Sequence, residues 1–213
     1  MGITGGDSLL RNDLADIISH IDDRSASILY TSGRGLTIER AHELKAAGLD
    51  YLSVSLDNYD GAKNDLGRFE GSHDTACQAA QNSLEAGLYT VLSKVVTEAN
   101  IDDLLRYIEF ANELGVHGVR VLDAVPCGSC IDDPPLSARS IQRLIRIHKK
   151  RNRNKRLPQL TTKPYLESPE MFGCGPGTIH GYINSQGIVC GCDFLKITFG
   201  DLKENHMQKF IPE

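Results

Sequence analysis

With 213 residues, 40% hydrophobic and 24% charged positions, the chain can bury the core of one domain, or of one domain with a small appendage. A formal charge of -5 gives nucleic acid no electrostatic footprint to read. No apolar run approaches the ~18 residues of a membrane span, and no basic-then-apolar leader opens the chain, so the cytoplasm is the expected compartment.

Taken in chain order, Leu10, Leu14, Ile17, Ile18 and Ile21 recur at helical spacing and predict an amphipathic helix over roughly residues 9–22. Residues 27–31 (SILYT) read as a buried strand ending in a turn-rich loop, Ser32-Gly33-Arg34-Gly35. Thr37 is a plausible N-cap and Gly48 a C′ residue for the next helix, followed by a strand over residues 51–56. A helix from Ser72 to Gly87 and a strand over 89–96 come next. Asn100, with Asp103 three positions on, reads as the N-cap of a helix whose expected buried face is Leu104, Leu105, Ile108, Ala111 and Leu114, and residues 119–122 give a fifth strand. A last helix spans about 136–148.

Strands alternating with helices imply right-handed βαβ units and a parallel sheet, either open and doubly wound or closed toward a barrel. The strand Tyr51-Leu52-Ser53-Val54-Ser55-Leu56-Asp57 alternates strictly, with Ser53, Ser55 and Asp57 on one face. A strand covered by helices on both faces should be apolar on both, so the polar face suggests either a lumen that binds something or a sheet edge. Past His148 the basic run 149–156 (KKRNRNKR) reads as a solvated helix end entering a linker, with contact to an anionic partner as the other reading; Pro158, Pro164 and Pro169 extend it.

Five of the six cysteines fall from Cys127 onward, in glycine-rich segments. That clustering, without a secretory leader, favours metal or redox chemistry over disulfides. Cys77, among Ala76, Ala79 and Ala80, reads instead as a small buried thiol. Cys127 and Cys130, in C-x2-C spacing, can reach one metal, be plain loop residues, or form a redox pair. The seven histidines are scattered, and none pairs at i, i+4.

Ile3-Thr4-Gly5-Gly6-Asp7 reads as a strand ending in a tight turn, with exposed amides and one carboxylate at the strand's C-terminal end, the face where barrels build their active sites. In this context Thr4-Gly5-Gly6-Asp7 resembles the GGE motif of radical S-adenosylmethionine (SAM) enzymes. Tyr30-Thr31-Ser32-Gly33, Ser53-Val54-Ser55-Leu56-Asp57 and Val95-Val96-Thr97-Glu98-Ala99-Asn100 resemble that family's later strand ends, in order and spacing, over residues 1–150. Cys174, Gly187 and Cys192 fit the C-x(9–15)-G-x4-C opening of its SPASM extension, with Cys190 just outside the strict motif.

The resemblance implies an α/β fold: a partial (β/α)6 barrel over residues 1–150, a linker over 151–171 and a truncated, cysteine-rich SPASM- or twitch-like module over 172–213. It implies SAM held at Thr4, Gly5, Gly6 and Asp7, with Asp7 on the methionyl ammonium. Ser53, Ser55, Asp57 and Lys94 are candidate lumen groups on strand position. Cys174 and Cys192 would bind an auxiliary 4Fe-4S cluster, with Cys190, Cys127 and Cys130 as further candidates. It implies a peptide, protein or tetrapyrrole substrate.

The family's C-x3-C-x2-C loop, which holds the catalytic cluster, does not occur in these 213 residues, nor do the later SPASM cysteines. The chain therefore reads as an internal piece, inactive in SAM cleavage alone, with a barrel unit to be supplied by a partner chain. Losing that unit should expose Ile28, Tyr30, Leu52 and Val54 and make the isolated chain prone to association. The alternative from another functional class is a non-catalytic zinc module on Cys174, Cys190, Cys192 and either Cys127 or Cys130.

Overall fold

Six short segments that are apolar at alternate positions become six strands of one sheet. In the computed structural model, which describes residues 1–126, 134–175, 180–194 and 197–204, these are β1 (Gly2–Ile3), β2 (Ile28–Thr31), β3 (Tyr51–Ser55), β4 (Tyr89–Val96), β5 (Gly118–Asp123) and β6 (Gln159–Thr162). They lie side by side in chain order, and every pairing is parallel. Between them run α1 (Leu14–Ser19), α2 (Ile38–Ala46), α3 (Gly61–Gly67), α4 (Ser72–Glu85), α5 (Leu104–Glu113) and α6 (Ala138–Arg151), and α7 (Lys163–Leu166) follows β6. Side-chain caps start three of these helices: Thr37, Asp60 and Ser137 accept from the backbone N–H three residues on. Among the described residues no helix is long and apolar enough to cross a membrane.

Side chains alternate across a strand, so register decides which residues share a face. Leu29, Leu52, Val54, Leu92, Val96, Val119, Val121 and Leu160 are all within 1% of complete burial. They pack with Leu14 and Ile18 of α1, Ala41 and Leu44 of α2, Ala76, Ala79 and Ala80 of α4, Leu104 and Ile108 of α5, and Leu144 of α6. The opposite face carries Tyr30, Ser53, Ser55, Ser93 and Arg120, which pair in register from strand to strand. There the Arg120 guanidinium sits 4.8 Å from the centre of the Tyr30 ring, although two strands separate β2 from β5. Strands lie ~4.8 Å apart, so a flat sheet would hold these residues ~14 Å from one another. Their contact shows that the sheet curls, with this face inside.

Several expectations are corrected. The helix expected over 9–22 is broken: Ser8–Leu10 form a 3₁₀ turn, Arg11 is extended, and α1 begins at Leu14. The segment 151–171, expected as linker, contains β6, a sixth strand that pairs with β5. α3 was not expected at all; its signal is the Asp60 cap ahead of a short stretch with glycine at each end. Leu52 and Val54, expected to be uncovered, are fully buried, because they face the helices and not the sheet edge.

Near the C-terminus β7 (Tyr182–Ile183), β8 (Ile188–Cys190) and β9 (Thr198–Asp201) form an antiparallel sheet. The β7–β8 turn falls at residues 184–187: the Asn184 side chain accepts from Gln186 N and Ile188 N, and Gly187 takes φ +88°.

Gly33 is the tightest backbone approach in the sheet's surroundings. It has φ +89°, and a Cβ there would stand 2.6 Å from Ala79 Cβ of α4. Gly35, at φ +80°, has nothing within 4 Å of the same position. Gly33→Ala is expected to lose about 2–4 kcal/mol, combining left-handed strain with overpacking, and Gly35→Ala only about 1 kcal/mol. Urea unfolding of both variants checks this; equal losses would show that the helix contact contributes nothing.

Candidate functional site

The C-terminal ends of β1, β2 and β3 meet at one rim of the concave face, and each is tied down by named polar groups. Gly5 and Gly6 follow β1 with φ +107° and +39°, conformations that glycine adopts at little cost. A Cβ built on either meets nothing within 4 Å, so the turn leaves open space above its backbone. Thr4, Gly5 and Gly6 are all exposed.

Asp7, expected to meet an ammonium group, is instead committed to its own chain. One carboxylate oxygen accepts from Leu9 N at 3.2 Å and Thr31 Oγ1 at 2.6 Å. The other accepts from Ser32 N at 3.0 Å and from the Ser32 hydroxyl. A carboxylate offers about four lone-pair sites, and four donors fill them. Burial opposes ionisation of Asp7, but the hydrogen bonds from Ser32, Thr31 and Leu9 outweigh it and hold the carboxyl below its usual range. Ser8 Oγ adds a bond to Tyr30 O, and Thr31 Oγ1 accepts from Gly33 N. The glycine turn is thus fastened to the end of β2, and Asp7 positions it.

The end of β3 is held as firmly. Tyr107 OH donates to Leu56 O at 2.6 Å, and the Lys94 ammonium donates to Asp57 O. Asn64 Oδ1 accepts from Asp57 N and Asn58 N. The Asp57 carboxylate accepts from Val95 N at 2.9 Å and from Arg68 Nε at 2.8 Å. Asp57 therefore braces a loop, and it is not a free group of the lumen.

Lys94 is a correction of face. It shares the helix side of β4 with Leu92 and Val96 and lies 5.0 Å from the Tyr107 ring of α5. Burial depresses its pKa, with Asp57 and Asp103 working against that shift. Period-2 alternation puts Ser93, its neighbour, on the concave side beside Ser55. Ser53, fully buried, and Ser93 are hydrogen-bonded at 2.8 Å, and Ser55 is half-buried on the same face. Ser53 and Ser55 thus lie where the sequence placed them. Ser93, Tyr30 and Arg120 were missed, although counting alternate residues along 89–96 and 118–123 finds the serine and the arginine.

Of the sulfur groups, Cys190 on β8 and Cys192 just after it are buried, and Cys174 is exposed. Among the described residues no three His, Cys, Asp or Glu side chains converge as a metal site. Cys174, Cys190 and Cys192 are thus not gathered into one ligand set. Cys127 and Cys130 lie outside the described residues. Cys77 is a free thiol with its pKa pushed up to about 11, chiefly by burial, and is unreactive as a nucleophile at neutral pH.

Residues 1–111 match the Radical SAM superfamily, more than half of the chain, and the chain belongs to that superfamily. Its members use SAM with a 4Fe-4S cluster. Among curated relatives, PqqA peptide cyclase of Streptomyces rochei is 34% identical over 57% of this chain and 34% of its own length. AdoMet-dependent heme synthase of Methanosarcina barkeri is 23% identical over 95% of this chain and 65% of its own. The chain thus spans one to two thirds of these relatives. Among solved structures, Streptococcus suis SuiB bound to S-adenosylmethionine superposes with a TM-score of 0.74 at 14% identity, over 98% of this chain and 53% of that one. SuiB bound to the precursor peptide SuiA gives the same TM-score at 13% identity, over 98% and 52%. These likenesses show the fold.

The Asp7 knot has a pH signature. With its folded pKa below the unfolded value of about 3.9, the stabilisation by Asp7 is complete above that value and is lost as pH falls through the lowered folded pKa. Asp7→Asn should therefore cost about 1–3 kcal/mol at neutral pH, and the gap to the parent should shrink below about pH 4. Denaturant melts across pH read this directly; a gap that persists unchanged in acid would show that ionisation of Asp7 plays no part.

Proposed function

We propose that this chain is the SAM-holding part of a radical SAM enzyme that modifies a peptide or protein substrate. The observation that carries the reading is the concave face itself: an open glycine turn beyond the C-terminal end of β1, with hydroxyls and a guanidinium inside the curl along β3, β4 and β5. SAM carries an ammonium, a carboxylate and ribose hydroxyls. The exposed backbone at Gly5 and Gly6 suits the ammonium, Arg120 the carboxylate, and Ser55 and Ser93 the hydroxyls. Asp7 holds the turn in shape without touching the ligand. Loaded beside a reduced cluster, SAM supplies the radical; the residues present here bind, orient and shield it.

Support for a peptide substrate comes from the peptide cyclase among the relatives and the peptide-bound structural neighbour. A tetrapyrrole is the second reading, favoured by the length of the match to the heme synthase. For the cluster ligands we propose a C-x3-C-x2-C segment docking beside β1, an edge strand of the six-stranded sheet, from further polypeptide or a partner chain. Cys174 and Cys192, on either side of the Gly187 hairpin, are proposed as ligands of an auxiliary cluster within a SPASM-like module, with the division at about residue 172. Cytoplasmic residence belongs to the same proposal.

Calorimetric titration with SAM is expected to show binding that weakens at least about tenfold in Arg120→Ala, a loss of ~1.4 kcal/mol or more. Gly6→Val, which fills the cradle and strains φ +39°, should abolish it. Unchanged affinity in both variants, with native melting curves, would overturn the assignment.

The chain alone, reconstituted with iron and sulfide and reduced, is expected to give no 5′-deoxyadenosine above a protein-free control. Formation should follow once a C-x3-C-x2-C segment is supplied. Activity without that segment would overturn the proposed division of ligands.

A further inference from the structure

Away from the concave face, cations gather on one flank of the barrel. Residues 149–156, Lys-Lys-Arg-Asn-Arg-Asn-Lys-Arg, hold six basic side chains in a chain whose net charge is -5. A helix dipole rewards cations only within its last turn, and this run continues past Arg151, where α6 ends. Among the described residues, Lys149 alone of the six has an anionic partner, Glu170.

The cations stand on a fixed frame. The Asn152 side chain donates to Leu160 O at 2.7 Å and accepts from Leu160 N at 2.8 Å, stitching the end of α6 to β6. His148 Nδ1 lies 3.1 Å from Thr162 Oγ1, and its ring packs 4.1 Å from that of Tyr165 on α7. A cavity of about 440 Å³ opens here, lined by His148, Lys149, Asn152, Arg153, Tyr165 and Glu170. It already seats one carboxylate: Glu170 pairs with Lys149, whose ammonium lies 5.6 Å from the centre of the Tyr165 ring. Arg153 lines the same cavity and is exposed, with no carboxylate upon it.

We propose that this α6–α7 flank is a docking surface for an acidic segment of a polypeptide, whose Glu or Asp side chains occupy Arg153 and its neighbours as Glu170 occupies Lys149. A carboxylate-sized seat beside one tyrosine, at a single helix end of an acidic chain, fits a peptide side chain better than a nucleic-acid backbone, which needs an extended basic track. In naming the partner the proposal rests on the peptide-substrate reading, whereas the binding itself needs neither SAM nor a cluster.

Fluorescence anisotropy on the 213-residue chain, with a short labelled glutamate-rich peptide, tests it. Binding is expected at low ionic strength, weakening as salt screens the charges, and absent for the glutamine counterpart of the peptide. Lys150→Glu with Arg153→Glu should weaken it at least about tenfold, and the milder Arg153→Gln about threefold, each with a melting curve like the parent's. The proposal is overturned by no binding of the glutamate peptide, by equal binding of the glutamine peptide, by variants that bind like the parent, or by a single-stranded oligonucleotide that binds tighter. Peptide capture combined with failure of the SAM titration would sink the proposed function and leave the docking surface standing.

Discussion

The structure depends on a sheet that has to serve two different environments, and on the strict alternation of side chains that lets it do so. In parallel pairing, residues in register share a face, so one choice of parity propagates across six strands. Leu29, Val54, Leu92 and Val121 fall on the helix side and are fully buried, while Tyr30, Ser53, Ser93 and Arg120 fall on the other. The apolar side recruits the helices and supplies the driving force for folding. That leaves the inner side free to carry hydroxyls and a cation, which curling of the sheet brings together.

Curvature alone would leave the strand ends loose, and loops at a ligand site must be held to act. Here the holding groups are polar and local. The Asp7 carboxylate takes four donors from two strand ends, and Asn64, Lys94, Tyr107 and Arg68 between them secure the loop after β3. Buried polar groups are costly when unpaired, so each such network is self-enforcing: losing one partner strands another. Two residues that look like ligand-binding groups, Asp7 and Asp57, thereby serve as braces. In the proposed function the glycine backbone and Arg120, with Ser55 and Ser93, are the groups that meet SAM.

The C-terminal part follows a different rule. Its small antiparallel sheet carries Cys190 and Cys192 on or beside β8, both buried, while Cys174 is exposed.

Much of the fold was legible in the sequence because its signals are local. Helical periodicity, glycines at helix ends and the polar alternation of Ser53 and Ser55 each report a backbone geometry within a few residues. The turn at Gly5-Gly6 was readable for the same reason. Register, partners and the filling of lone pairs depend on residues far apart in the chain, and only the tertiary structure decided them. Lys94 belongs to the helix side because β4 pairs with β3 in one register and not its neighbour. Asp7 is occupied because Thr31 and Ser32, over twenty positions later, arrive beside it. β6 became a strand because the open edge of β5 gave a short, proline-flanked segment backbone partners that it could not supply for itself.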